Sequence, residues 1–205
     1  MKILIVANWK MNPQTLAEAK ALFGNVKNTG AVICPPSIYI SDLKTKGAQD
    51  CFWENEGAYT GGISPVALKD LGCEYVILGH SERRRILKET DEMINKKIKA
   101  VLKIGLKPIL CVSDLKQLKN SLSGIKEKVI VAFEPVSAVG TRVPYDVEKA
   151  RKIRSLINYP MVLYGGSVDE KNVKSYLDAG FNGVLVGQAS LDPQKFSKLA
   201  KAAAN

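Results

Sequence analysis

The chain has 205 residues, 46% of them hydrophobic, which is enough for one sizeable core and predicts a single domain over residues 1–205. The formal net charge is +10, but the lysines are spread along helical stretches and are not gathered with aromatic residues, so we expect no nucleic-acid partner. No apolar run reaches the roughly 18 residues of a membrane span, and the apolar start gives way at Asn8 too soon for a signal peptide. We therefore expect a cytoplasmic protein with no membrane partner.

Short apolar runs alternate with amphipathic helical stretches along the whole chain. Eight strands are predicted, at residues 2–7, 31–34, 47–50, 75–78, 108–112, 129–133, 161–164 and 183–186. Helices are predicted at residues 15–23, 37–43, 65–71, 90–104, 115–122, 147–157, 172–179 and 193–203. Because parallel strands need crossover connections, this alternation predicts a (β/α)8 barrel. At 205 residues the barrel must be a compact version with shortened helices.

Four cysteines and a single histidine limit the metal chemistry that this sequence can hold. The cysteines lie at positions 34, 51, 73 and 111, so there is no Cys-x-x-Cys pair, and one histidine leaves no plausible zinc set. We expect free thiols, no metal and no cofactor.

Polar residues follow several predicted strands, and in a parallel barrel the carboxyl ends of all strands open onto one face. Asn8 and Lys10 follow the first strand, His80 the fourth, and Glu134 the sixth. Glycine-rich turns follow the last two strands, at Gly165-Gly166-Ser167-Val168 and Gly187-Gln188, where backbone N–H groups can hold a phosphate. A carboxylate base, an imidazole, an ammonium group and an anion cradle suit proton removal beside the carbonyl of a small phosphorylated sugar.

The single histidine, His80, lies between a buried apolar run and a polar run. A lone histidine is more often a half-buried side chain with its hydrogen bonds made than a functional residue. Here, however, the other polar residues predicted at the strand ends indicate a functional role. Ser81 and Glu82 are residue types that open a helix. The positive end of that helix disfavours a protonated ring, so we expect a neutral imidazole that donates a hydrogen bond.

The chain resembles the triosephosphate isomerase family from its first strand to its last. The matching motifs include Asn8-Trp9-Lys10-Met11-Asn12, Gly57-Ala58-Tyr59-Thr60-Gly61, Gly79-His80-Ser81-Glu82-Arg83-Arg84, Phe133-Glu134-Pro135-Val136, Tyr164-Gly165-Gly166-Ser167-Val168 and Leu185-Val186-Gly187. The resemblance implies an isomerase that interconverts dihydroxyacetone phosphate and D-glyceraldehyde 3-phosphate through an enediolate, without a cofactor.

The resemblance also implies a role for each matching residue. Glu134 would be the base, His80 the electrophile, Lys10 and Asn8 the groups that bind substrate and stabilise charge, and Glu82 a supporting residue. Phosphate would be held by backbone N–H groups at Gly140, Ser167, Gly187 and Gln188. The lid would comprise Pro135, Val136, Ser137, Ala138, Val139 and Thr141, held closed by Tyr164 and Ser167. Thr60 would reach the site of a neighbouring subunit, which implies a homodimer, with a tetramer possible.

Several positions depart from the family pattern. Ser137 and Arg142 replace a tryptophan and a glycine of the lid, and Asp114 is one carbon shorter than the acidic residue that ordinarily meets that tryptophan. Gln188 replaces a glycine, which is acceptable if its φ is negative. Gly62 stands where a glutamate would pair with Arg83, so that ion pair is in doubt.

Two other classes of protein remain open. One is a catalytically weakened phosphate-binding barrel with an altered lid. The other is a different isomerase or an aldolase, whose Schiff-base chemistry would need a lysine where Glu134 stands.

Overall fold

The computed structural model describes residues 3–138 and 143–204. Eight parallel strands form one sheet in the order β2-β1-β8-β7-β6-β5-β4-β3. They are β1 Leu4–Asn8, β2 Val32–Cys34, β3 Gly47–Ala48, β4 Tyr75–Leu78, β5 Lys107–Val112, β6 Ile130–Phe133, β7 Val162–Gly165 and β8 Gly183–Val186. The predicted (β/α)8 barrel is confirmed, and all eight predicted strands are present with ends shifted by at most two residues.

The barrel is nearly closed between β2 and β3, the two strands at the ends of this order. A β-carbon on Gly47 of β3 would lie 2.8 Å from the carbonyl oxygen of Ile33 and 2.4 Å from Sγ of Cys34, both in β2. The two end strands therefore face each other at a distance that only glycine permits.

Nine α-helices lie in the described residues, together with three 3-10 helices at Lys27–Thr29, Ser37–Tyr39 and Gln188–Leu191. The α-helices are α1 Leu16–Val26, α2 Ile40–Leu43, α3 Pro65–Asp70, α4 Ser81–Ile86, α5 Asp91–Lys103, α6 Leu115–Ser121, α7 Val147–Leu156, α8 Val173–Asp178 and α9 Pro193–Ala204. Eight correspond to the helices predicted with bounds, and α4 begins at Ser81, where a helix start was predicted without an end. The expected shortening is confirmed, since α2, α3, α6 and α8 have four to seven residues each.

Local sequence signals explain where several helices begin. The Thr15 hydroxyl accepts the N–H of Glu18, and the Glu18 carboxylate accepts the N–H of Thr15, which is a complete capping box for α1. Asp114 caps α6 and Asp146 caps α7 in the same way, by accepting an N–H from the first turn.

Alternation along the strands separates two apolar regions. One set of side chains fills the inside of the barrel, including Val6, Ile77, Ile109, Ala132 and Leu163. The neighbouring residues along each strand point outward against the helices. Because side chains alternate, Asn8 and Glu134 lie two residues beyond Val6 and Ala132, on the inside of the barrel at its carboxyl end.

Two further findings concern the predicted absences. The four cysteines are buried and free. Among residues 3–138 and 143–204, no helix is long and apolar enough to cross a membrane, and no group of three or more His, Cys, Asp or Glu side chains could hold a metal ion.

Candidate active site

A cleft of about 700 Å³ opens at the carboxyl ends of the strands. The predicted site residues that line it are Asn8, Lys10, His80, Glu134, Ser167, Gly187 and Gln188. Glu82 does not line this cleft but contacts Lys10 from behind. The structure thus brings together residues that are as far apart in the chain as Asn8 and Gln188. Gly140 lies outside the described residues.

Lys10 is held at both its backbone and its side chain. Its φ of +56° lies in the left-handed region, and its N–H donates to Oδ1 of Asn8 (3.0 Å). Its Nζ donates to Oε1 of Glu82 (2.5 Å). Gly187 gives the side chain room, because a β-carbon there would lie 3.3 Å from Cε of Lys10. These contacts direct a fixed positive charge along the wall of the cleft.

Glu134 follows β6 and is buried in the cleft, with Oε1 at 3.3 Å from Nε2 of His80. Burial acts to raise the pKa of the Glu134 carboxyl, but the nearby His80 and Lys10 and the N–H of Ser81 outweigh it, so the pKa is lowered. Within the described residues, Oε2 has no hydrogen-bond partner. The carboxylate is therefore ionised and has an oxygen available to accept a proton.

His80 caps the N-terminus of α4, as the sequence predicted for a residue beside a helix start. Its Nδ1 accepts the N–H of Glu82 (3.3 Å), which requires a lone pair on that nitrogen and favours a neutral ring with its proton on Nε2. An opposing influence was not visible in the sequence. Burial lowers the pKa of His80, yet the carboxylates of Glu134 and Glu82 outweigh it, and the pKa is raised. The neutral ring stays a prediction.

The turns after β7 and β8, where phosphate binding is predicted, form one part of the cleft. Ser167 has a φ of +52°, and its carbonyl oxygen accepts a hydrogen bond from Nδ2 of Asn172 (3.0 Å). Gln188 begins the 3-10 helix Gln188–Leu191 and is not among the residues with positive φ. The condition set for replacing a glycine is therefore met, and its backbone N–H remains usable.

The beginning of the predicted lid packs against the β7 turn. Ala138 is fully buried, and its carbonyl oxygen accepts the hydroxyl of Ser167 (2.7 Å). A β-carbon on Gly166 would lie 3.1 Å from both Cβ of Ala138 and the hydroxyl of Tyr164, so glycine makes this close approach possible. Tyr164 is itself buried and stacks on Tyr176 with ring centroids 3.7 Å apart.

The rest of the predicted lid is seen only in part. Val139 and Thr141 lie outside the described residues, as do Gly140 and Arg142. Val136 is exposed and borders a second cleft of about 420 Å³ on the other side of Glu134. The Asp114 carboxylate is engaged as the N-cap of α6, accepting the N–H of Gln117 at 2.8 Å.

Arg83, which has a glycine at position 62 where the family carries a glutamate, pairs with two other carboxylates. Nη2 of Arg83 lies 2.8 Å from Oδ2 of Asp50 and 2.7 Å from Oε1 of Glu89. Asp50 and its neighbour Gln49 were both predicted to belong to a strand and were not predicted to contact the site. No local pattern could have identified either residue, because their partners lie on other elements.

Comparisons with known proteins agree with this geometry. A family model described as triosephosphate isomerase matches residues 3–203. A triosephosphate isomerase of Aquifex aeolicus is 41% identical over 244 aligned positions that cover 97% of this chain and 98% of the relative. That of Dictyoglomus thermophilum is 40% identical over 245 positions, covering 97% and 98%. That of Dehalococcoides mccartyi is 37% identical over 248 positions, covering 100% and 98%. This chain therefore spans nearly the whole of these relatives with far fewer residues, and it belongs to the triosephosphate isomerase family.

Proposed function

We propose that the chain interconverts dihydroxyacetone phosphate and D-glyceraldehyde 3-phosphate, with Glu134 as the base. The observation that carries this is the buried Glu134 carboxylate, 3.3 Å from the His80 imidazole in a cleft that also holds Lys10. Membership of the family supports the choice of substrate.

The reaction needs one proton to move between adjacent carbons. A Glu134 oxygen takes the proton from the carbon beside the carbonyl, and the electron pair moves onto the carbonyl oxygen to give an enediolate. The same carboxyl then returns the proton to the neighbouring carbon, while the hydroxyl proton on the first carbon passes to the former carbonyl oxygen, so that carbonyl and hydroxyl exchange places. The lowered pKa means that Glu134 is ionised before substrate binds, and its burial limits competition from water.

His80 and Lys10 stabilise the negative charge that develops on the enediolate. His80 donates from Nε2 to the oxygens, a protonation pattern supported by the Glu82 N–H that donates to Nδ1. Lys10 places its ammonium beside the same oxygens, held by Glu82, and Asn8 fixes its backbone. Loss of one preorganised donor of this kind costs roughly 10² to 10³ in rate, on the order of 3 to 4 kcal/mol.

The phosphate is held by backbone N–H groups of the turns after β7 and β8. Ser167, Gly187 and Gln188 line the cleft there, and the resemblance adds Gly140 from the lid. The lid residues Pro135, Val136, Ser137 and Ala138 would close over the phosphate and exclude water, which favours the enediolate and limits its breakdown.

The decisive experiment is a coupled assay of the purified protein with each triose phosphate. We expect turnover in both directions, incorporation of solvent deuterium at the carbon beside the carbonyl, and competitive inhibition by phosphoglycolate, a planar mimic of the enediolate. A protein that binds phosphoglycolate but gives no turnover would be the catalytically weakened barrel. A protein that does neither would contradict the proposal outright.

We infer further that the chain is at least a homodimer. Two loops and the end of α4 expose large apolar side chains, namely Met11 (82% exposed), Tyr59 (45%) and Ile86 (61%). Thr60, next to Tyr59, is also exposed in the single chain. A residue that inserts into a neighbouring subunit must be exposed before the subunits associate. Light scattering at micromolar concentration tests this, and a fully active monomer would exclude it. A tetramer and a cytoplasmic location also stay predictions.

A further inference from the structure

Gln49 and Asp50, the two residues directly after β3, contact elements on both sides of the site. Nε2 of Gln49 donates to the carbonyl oxygens of Lys10 (2.8 Å) and Cys34 (2.8 Å). It thereby fixes the backbone of Lys10 to the end of β2. Because the φ of +56° at Lys10 is unfavourable for a residue with a side chain, this conformation depends on such contacts.

Asp50 joins the same segment to α4 and α5. Its carboxylate, with 13% of the side chain exposed, lies 2.8 Å from Nη2 of Arg83 and 2.8 Å and 2.9 Å from Nζ of Lys97. Arg83 and Lys97 also both contact Glu89. Two cations and two carboxylates therefore form one balanced, mostly buried cluster. Removing the charge of one carboxylate would leave a buried excess of positive charge.

These contacts connect Asp50 to both the backbone and the side chain of Lys10. Arg83 follows Glu82 along α4, and the Glu82 carboxylate accepts the Lys10 ammonium. Gln49 precedes Asp50 and holds the Lys10 carbonyl. Asp50 is thus the link between the element that holds the backbone of Lys10 and the helix that holds its side chain.

We propose that Asp50 is a positioning residue for Lys10, acting through Gln49 on one side and through Arg83 and Glu82 on the other. This inference rests on the proposed role of Lys10 in binding the anionic substrate. Weakening the contacts of Asp50 lets the Lys10 ammonium move away from the position where charge develops on the substrate. No group that touches the substrate is removed.

The test is a double-mutant cycle with Asp50→Asn, which keeps the shape of the side chain and removes its charge. We expect kcat/KM to fall on the order of 10- to 100-fold, the range expected when a reacting group is misplaced by about an ångström. KM and the inhibition constant of phosphoglycolate should rise, because Lys10 binds anions. In a Lys10→Ala background, the same Asp50 change should alter kcat/KM by less than about twofold, since the group it positions is gone.

Asp91→Asn is the matched control. Asp91 also pairs with an arginine of α4, with Oδ1 2.6 Å from Nη1 of Arg84, and 18% of its side chain is exposed. Its other partners are Ser121 and Asn120, on the side of α6. We expect this variant to lose thermal stability as Asp50→Asn does, while its kcat/KM stays within about twofold of the wild type.

Each outcome decides between positioning and general stability. Equal losses from Asp50→Asn in the wild-type and Lys10→Ala backgrounds would overturn the proposal, and so would no loss in either. If Asp50→Asn does not fold, Gln49→Met removes the other link and leaves the charge cluster intact, and the same cycle applies. Wild-type activity in Lys10→Ala alone would instead refute the proposed role of Lys10.

Discussion

Replacing Glu134 with glutamine isolates the base from the rest of the site. The amide has the shape of the carboxylate and fits the same buried place after β6, but it cannot accept the substrate proton. A positioned general base contributes on the order of 10² to 10⁴ in rate, or about 3 to 5 kcal/mol of activation free energy. We expect kcat to fall by that factor, because the Glu134 carboxylate is the one that lies beside Nε2 of His80 inside the cleft.

The coupled assay measures this loss, and a thermal melt shows that the fold is intact. Glu74→Gln is the control, because it makes the same chemical change at the amino end of β4, where Glu74 pairs with Lys46 at 2.6 Å. The control should keep full activity, since this end of the barrel is remote from the cleft. Retention by Glu134→Gln of more than about a tenth of the wild-type kcat would refute the assignment of the base.

Three further predictions follow from the same geometry. Gly165→Ala would place a β-carbon 3.0 Å from Cγ of Glu134, so kcat should fall with little change in melting temperature, and an unchanged kcat would show that the base tolerates the shift. Burial lowers the pKa of His80, but the Glu134 carboxylate outweighs burial, so the pKa is raised overall. The stability that the protonated His80 contributes is therefore present below pH 6.5 and is lost as the pH rises through the raised pKa. The difference in melting temperature between wild type and His80→Gln should therefore shrink at alkaline pH, and a constant difference would contradict this. Ser137→Trp, which restores an aromatic residue to the lid, should lower the methylglyoxal formed per isomerised product, because firmer closure limits phosphate elimination; an equal ratio in both proteins would show that the lid closes well without it.

The fold and the central site residues could be predicted because they depend on short-range patterns. The two-residue alternation within a strand, as at Ala132 and Glu134, states which side of the sheet each residue faces. Parallel topology then places all strand ends on one face, which brings Asn8 and Glu134 together without any knowledge of distances. The roles within the site came from the resemblance.

The start of helix α4 after His80 could be predicted, but its extent could not. Its sequence, Ser81–Ile86, contains three consecutive arginines, and none of its residues is buried, so no apolar stripe marks it. The helix is held by contacts beyond its own sequence. His80 caps it, and Arg84 donates to the carbonyl of Gly79 and to Asp91.

The predicted end of β3 was wrong for a related reason. Gln49 and Asp50 were assigned to the strand, but the ladder ends at Ala48. The Gln49 side chain donates to two backbone carbonyls, and the Asp50 carboxylate pairs with two cations. The raised pKa of His80 was also invisible, because Glu134 is 54 positions away along the chain but 3.3 Å away in space. Contacts between distant elements leave no periodic signal in one sequence.

The shortened helices also indicate which parts of the barrel can be reduced without disturbing the site. Helix α2 has only four residues, yet Ile40 and Leu43 are buried, and the six-residue α8 buries Val173 and Tyr176. Burying two such side chains contributes about 3 to 6 kcal/mol and covers the outward face of the preceding strand. The site residues lie at strand ends, in turns and at the start of α4. Loss of helical turns elsewhere on the outside therefore reduces the stability of the barrel and leaves the distances in the cleft unchanged. This separation is consistent with a chain of 205 residues that aligns with nearly the whole of its relatives over 244 or more positions.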